Sequence, residues 1–248
     1  YVSTSISLAK KATEVSPDES LNWANLGFVY QNLLSVVDNV EQLSENAYLK
    51  AAELRPGDPM FSYRIGLLYL GQYEQLSQLV AAGRTDANKA FREAQEALIK
   101  SEEGLKKAIE LSNNFGLAIY NLGLVYDRQG KLSEAIRQLE KLAPANINQP
   151  NLMFELGLLY YRAGSKNDAF AALQRAVFLA PDYANARWYL ALIYEERKEL
   201  DLAIEQLDKI LSVEVNRNNP VVLQKVQELR VGKVSIPPGN VLDQKPIR

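Results

Sequence analysis

One phrase, repeated at a fixed interval, limits what this chain can become. Ile119-x-x-Leu122-Gly123-x-x-Tyr126 returns as Met153-x-x-Leu156-Gly157-x-x-Tyr160 and again as Arg187-x-x-Leu190-Ala191-x-x-Tyr194, two equal steps of about 34 residues. Upstream the same phrase reads Trp23-x-x-Leu26-Gly27-x-x-Tyr30 and Ser62-x-x-Ile65-Gly66-x-x-Tyr69. Its internal spacing of three and four puts the large residue, the Leu-Gly pair and the Tyr on one face of a helix, and Gly lets a second helix approach. A unit of this length cannot bury its apolar face alone, so successive units must stack.

Composition removes several chemistries. The 248 residues contain no Cys and no His, so disulfides, thiolate nucleophiles and Cys- or His-ligated metals are impossible, and the commonest general base is missing. Glu102-Glu103 and Glu195-Glu196 are adjacent on helices and point apart, so neither pair converges on a substrate. No phosphate-binding loop or nucleophile motif is present, and the expectation is no catalysis, no cofactor and no metal. A net charge of −2 with interspersed signs lacks the concentrated basic face that nucleic acid requires. No apolar run approaches the roughly 20 residues that span a bilayer, which predicts a soluble segment without membrane insertion. Because it opens with Tyr1 inside a helical pattern, we read it as a piece of a longer protein, and the compartment is not legible.

The recurring period, with Leu-Gly followed by Tyr and a later Ala and Pro, resembles the tetratricopeptide (TPR) repeat. The resemblance implies an all-α fold, a right-handed α-solenoid of about five helix pairs with a leading half-repeat and a terminal capping helix. We expect a half-repeat over 1–17, repeats over about 18–58, 59–115, 116–149, 150–183 and 184–217, a cap helix over 219–231, and an extended or disordered Pro-containing tail over 232–248. The interval from Gly27 to Gly66 exceeds one period, its additions falling around Leu33 to Val40. That from Gly66 to Gly123 is longer again, well over one period and short of two. Apolar periodicity on both sides of Gly83-Arg84-Thr85, with Thr85 or Asp86 as N-cap, predicts one elongated αα-hairpin projecting from the stack. Pro144 arrives early and predicts a shortened second helix in the third repeat.

In TPR proteins the first helix of each pair lines the inner side, and that geometry assigns the candidate groove. One row is Ala24, Tyr63, Tyr120, Phe154 and Trp188, and a second, one helical turn on, is Phe28, Leu67, Leu124, Leu158 and Leu192. Aromatic residues dominate the first row, so the expectation is an aromatic-lined groove accepting an apolar or amphipathic peptide. Arg187 stands where the repeat puts its large aromatic, which should move Trp188 toward the groove. Asn121, Arg128 and Arg162 add hydrogen-bonding and charged positions suited to a peptide backbone or carboxylate. The alternative for the aromatic rows is burial between neighbouring helices. The Lys and Asn pattern with which one TPR class grips chaperone C-termini does not carry over.

These readings imply a non-catalytic protein–protein interaction scaffold with a protein or peptide partner. A second role is a soluble appendage of a membrane-embedded bacterial enzyme or secretion component, because the repeat style resembles TPR regions of O-antigen ligase-like and secretion-related envelope proteins. Self-association through the open N-terminal helix, or occupation of the groove by the C-terminal tail, are further expectations.

Overall fold

A computed structural model describes residues 2–34 and 39–235. Among the described residues there are twelve α-helices, one 3-10 turn and no strand. The chain divides into two units, Tyr1–Gln138 and Leu139–Arg248, with the division inside α7.

The first unit holds α1 (Val2–Val15), α2 (Ser20–Gln31), α3 (Val40–Leu54), α4 (Pro59–Ala81), α5 (Ala87–Leu111), α6 (Gly116–Arg128) and the start of α7 (Leu132–Asn146). From α1 to α6 each helix packs on its sequence neighbours, the contact pattern of a solenoid. The phrase glycines make the pairing close. A Cβ on Gly27 would lie 2.9 Å from the Tyr48 ring, and one on Gly66 would lie 2.7 Å from Leu105. At both crossings a serine of the second helix bonds to the glycine's carbonyl: Ser44 Oγ to Gly27 O at 2.8 Å and Ser101 Oγ to Gly66 O at 2.7 Å. Tyr48, Ala51, Leu68, Leu98, Leu105 and Ala108 are almost fully buried beneath these crossings.

Within this unit α4 and α5 are 23 and 25 residues long, against 12 for α2 and 15 for α3. About ten additional residues lengthen a helix by about 15 Å. The turn between the two helices is exposed at Ala81–Arg84, with Gly83 at φ 65°. Asp86 is the N-cap of α5, its carboxylate accepting the Lys89 N–H at 2.7 Å. Phe91 of α5 lies off its packed face and is 64% exposed. The additional length of the first repeat falls in the α2–α3 connection, where residues 35–38 lie outside the described part.

In the second unit α8 (Pro150–Arg162) pairs with α9 (Lys166–Leu179), and α10 (Ala184–Glu196) with α11 (Leu200–Ser212). The chain then passes through η1 (Glu214–Asn216) to α12 (Pro220–Arg230), which packs on α11. A Cβ on Gly157 would sit 2.6 Å from Leu173 Cγ, the same close crossing as in the first unit. Pro220 occupies the first turn of α12, and Asn219 caps it by accepting the Val221 and Val222 N–H groups.

Pro144 does not shorten its helix. The α7 helix runs through it to Asn146, so the proline sits close to the C-terminal end, where the N–H it lacks costs one hydrogen bond without breaking the ladder upstream. Most of the predicted tail, residues 236–248, lies outside the described part. Gly232 to Ser235 are described and turn back toward α10 and α12.

Candidate functional site

The first helices of successive pairs carry the candidate rows, and their fate differs between the two units. In the first unit, Phe28 on α2 is 48% exposed and stands beneath the Arg64 guanidinium of α4, 5.5 Å from ring centroid to Cζ. On α4 the neighbouring Tyr63 receives a long hydrogen bond of 3.4 Å from Asn121 Nδ2 of α6. These two contacts bring Phe28 of α2 next to Arg64 of α4, and Tyr63 of α4 next to Asn121 of α6. Along these helices Phe28 is exposed, Arg64, Leu67, Asn121 and Leu124 are half-buried, and Arg128 at the end of α6 is exposed and 3.5 Å from Asp127. Tyr120 is half-buried on the same helix.

Tyr63 itself does not face solvent, contrary to the sequence expectation. Only 7% of it is accessible, because Phe115, at the N-cap of α6, packs edge-on against it with centroids 5.1 Å apart. Burial raises the Tyr63 phenol above its ordinary value, against lowering contributions from Arg64 and the Asn121 bond. Its hydroxyl meets Asn121 and its ring is core.

The second unit closes its candidate rows more completely. Phe154 is 3% exposed, with Tyr183 4.9 Å away on the N-cap of α10 and Tyr189 at 6.1 Å. Leu192 is fully buried and Trp188 is 6% exposed, so the expected displacement of the indole into a groove does not occur. Two physical reasons account for this. Arg187 takes over the donor role of the usual aromatic: its Nε bonds to Pro181 O at 2.7 Å, as Trp23 Nε1 bonds to Pro17 O at 2.7 Å, while its Nη1 reaches Gln206 at 2.7 Å. And α10 is apolar around its circumference from Trp188 to Ile193, the mark of a helix enclosed on all sides. Leu158 and Arg162 on α8 are half-buried.

The aromatic closures were legible but unread. Phe115 and Tyr183 occupy equivalent positions just before a first helix, two full periods apart, and each covers the first-row ring of the first helix preceding that one. The first unit has a second concavity of about 660 Å³ beside the α4–α5 hairpin. Three of its polar side chains are tied down: Lys100 Nζ bonds to Tyr69 OH at 3.0 Å, Tyr69 OH donates to Glu45 at 2.7 Å, and Gln75 donates to Leu34 O at 2.8 Å. Among the described residues no group of three or more acidic side chains could hold a metal ion, and no helix is long and apolar enough to cross a membrane.

Stacked helical hairpins presenting mixed aromatic and polar side chains from their first helices define a helical-repeat protein. Residues 120–184 and 154–220 match the family model of the tetratricopeptide repeat. Solved structures share the fold. YrrB, described as a TPR protein with an unusual peptide-binding site, aligns with a TM-score of 0.63 at 20% identity, over 89% of this chain and 97% of that one. The pilF protein of Pseudomonas aeruginosa aligns with a TM-score of 0.61 at 19% identity, over 91% and 87%. MamA aligns with a TM-score of 0.56 at 21% identity, over 70% and 88%. No curated protein matches the sequence.

Proposed function

We propose that this chain is a non-catalytic scaffold that receives a peptide or a segment of a partner protein across the wall formed by α2, α4 and α6. The observation that carries the reading is the exposed Phe28–Arg64 stack. An aromatic ring left 48% open beside a guanidinium supplies apolar area and a planar donor in one place, the residue types that dominate binding energy at interfaces. Asn121 continues the row with an amide, and Leu124 adds apolar area one turn on, so an extended or helical segment meets alternating apolar and hydrogen-bonding positions. The peptide-binding description of YrrB is in keeping with this reading, as is the usual non-catalytic role of TPR scaffolds. Arg128 lies at the far end of the row, where it would meet a carboxylate of the guest.

Selection of peptides from a displayed random library against the full chain tests the proposal. Peptides selected on the wild type should lose at least tenfold in affinity on Phe28→Ser with Arg64→Ala. They should be unaffected by Phe178→Ser, which removes from α9 a 73% exposed ring that also lies beside a guanidinium, 5.2 Å from Arg175 Cζ, but outside that wall. Equal binding to all three chains would reject the α2–α4–α6 wall. The alternative role, as an appendage of a membrane-embedded enzyme or secretion component, keeps the same wall and assigns it to assembly.

A further inference from the structure

In the second unit a buried ion pair does something that packing does not require. Glu195 on α10 is fully enclosed and Lys225 on α12 is 6% exposed at its side chain. The ammonium lies 2.8 Å from Glu195 Oε1 and 2.6 Å from Oε2. Enclosing such a pair is seldom stabilising relative to apolar residues of the same volume.

Both charges are used a second time, on one residue. The Ser235 N–H donates to Glu195 Oε1 at 2.8 Å, and the Ser235 carbonyl accepts from Lys225 Nζ at 2.5 Å. The Ser235 hydroxyl donates to Glu228 Oε2 at 2.6 Å, and Lys233 pairs with Glu228 at 3.1 Å. The chain reaches this position by reversing at Gly232, which has φ 73°, with Lys233 N–H bonded to Glu228 O at 2.9 Å. Val234, next to the held residue, stays 49% exposed. What is gripped is therefore the N–H, the carbonyl and the hydroxyl of one residue.

We infer that Glu195, Lys225 and Glu228 form a clamp for the backbone of an extended, hydroxyl-bearing segment, occupied in cis by Ser235 and exchangeable with a partner segment carrying Ser or Thr at the same place. Glu195 accepts the segment's N–H, Lys225 donates to its carbonyl, and Glu228 accepts its hydroxyl. The chain's own segment is tethered close to the end of α12, so its effective concentration is on the order of millimolar and it excludes weaker guests. The clamp deepens the scaffold reading and rests on it. It adds a second, self-occupied site distinct from the α2–α4–α6 wall.

Two measurements on the full chain test it. Amide exchange of Ser235 in the wild type should be slowed at least tenfold relative to the free peptide spanning Val231 to Gly239; exchange at the free-peptide rate overturns the cis contact. The same peptide, fluorescently labelled, should bind the Ser235→Pro chain at least tenfold more tightly than the wild type, since proline has no N–H to give Glu195. Adding Glu195→Leu with Lys225→Met, an apolar replacement of the whole pair that avoids stranding one charge, should abolish that binding while cooperative thermal unfolding persists. Absence of peptide binding to the Ser235→Pro chain, or equal binding to all the chains, overturns the exchange. Either failure leaves the Phe28 and Arg64 test unaffected.

Discussion

Lys198 shows how closely the repeat dictates backbone geometry at a single position. It follows Gly130 and Gly164 at the repeat period, and it adopts the same left-handed conformation, φ 63° against 74° and 80°. The closing bonds recur as well: Lys131 N–H to Tyr126 O, Ser165 N–H to Tyr160 O and Glu199 N–H to Tyr194 O, at 2.8, 2.9 and 2.9 Å. A side chain in that region costs about 1–2 kcal/mol. Lys198→Gly should therefore stabilise the chain by roughly 1 kcal/mol, read as a higher urea midpoint, and a lower midpoint would show that the lysine's contacts outweigh its strain. Gly157→Ala should do the opposite, because its methyl would lie 2.6 Å from Leu173 Cγ; a loss of roughly 1–3 kcal/mol is expected. The repeat phrase made the glycines at the helix crossings readable from sequence, whereas the left-handed conformation of Lys198 carried no such signal. The exposure of the aromatic rows was not readable either, since whether Tyr63 or Phe154 meets water depends on Phe115 and Tyr183 arriving at the N-caps of α6 and α10.

Helices followed the apolar periodicity well where propensity and packing agreed, and less well where one residue was read in isolation. The long α4 and α5 were visible as two unbroken stripes around Gly83, and Asp86 as the cap of the second. Pro144 misled because a proline's effect depends on how many helical bonds lie beyond it, and in α7 only Ala145 and Asn146 follow. Pro144→Ala should stabilise α7, by about 1 kcal/mol in the unfolding free energy, and no gain would mean that the bond to Glu140 O does not form. At the other end of the same connection, Glu102 of α5 is held by Lys106 and by Lys131, the latter at 3.0 Å, just before α7 begins. Burial pushes its carboxyl upward, but bonds from Lys106, Gln129 and Lys131 bring it down from 4.5 to about 2. A folded-state value below the unfolded one means stability that is present above pH 4.5 and is lost as the pH falls toward about 2. Glu102→Gln should reduce the slope of the stability profile across that window and leave the slope above it unchanged. A wild-type profile already flat there would contradict the assignment.

Across the full sequence, the recurring phrase pointed to stacked repeats, and the TPR match over residues 120–220 agrees with it. What composition could not supply was which first-helix side chains stay open to solvent. The first-helix rows close over Phe154, Trp188 and Leu192 in the second unit and remain open around Phe28, Arg64, Asn121 and Leu124 in the first. The most direct check is site-specific photo-crosslinking in the native cell, with a photoreactive phenylalanine analogue in place of Phe28 or of Phe178. We expect a discrete protein adduct from position 28 that is lost on Arg64→Ala, and none from position 178. An adduct at 178 with none at 28 would contradict the assignment of the binding wall to α2, α4 and α6.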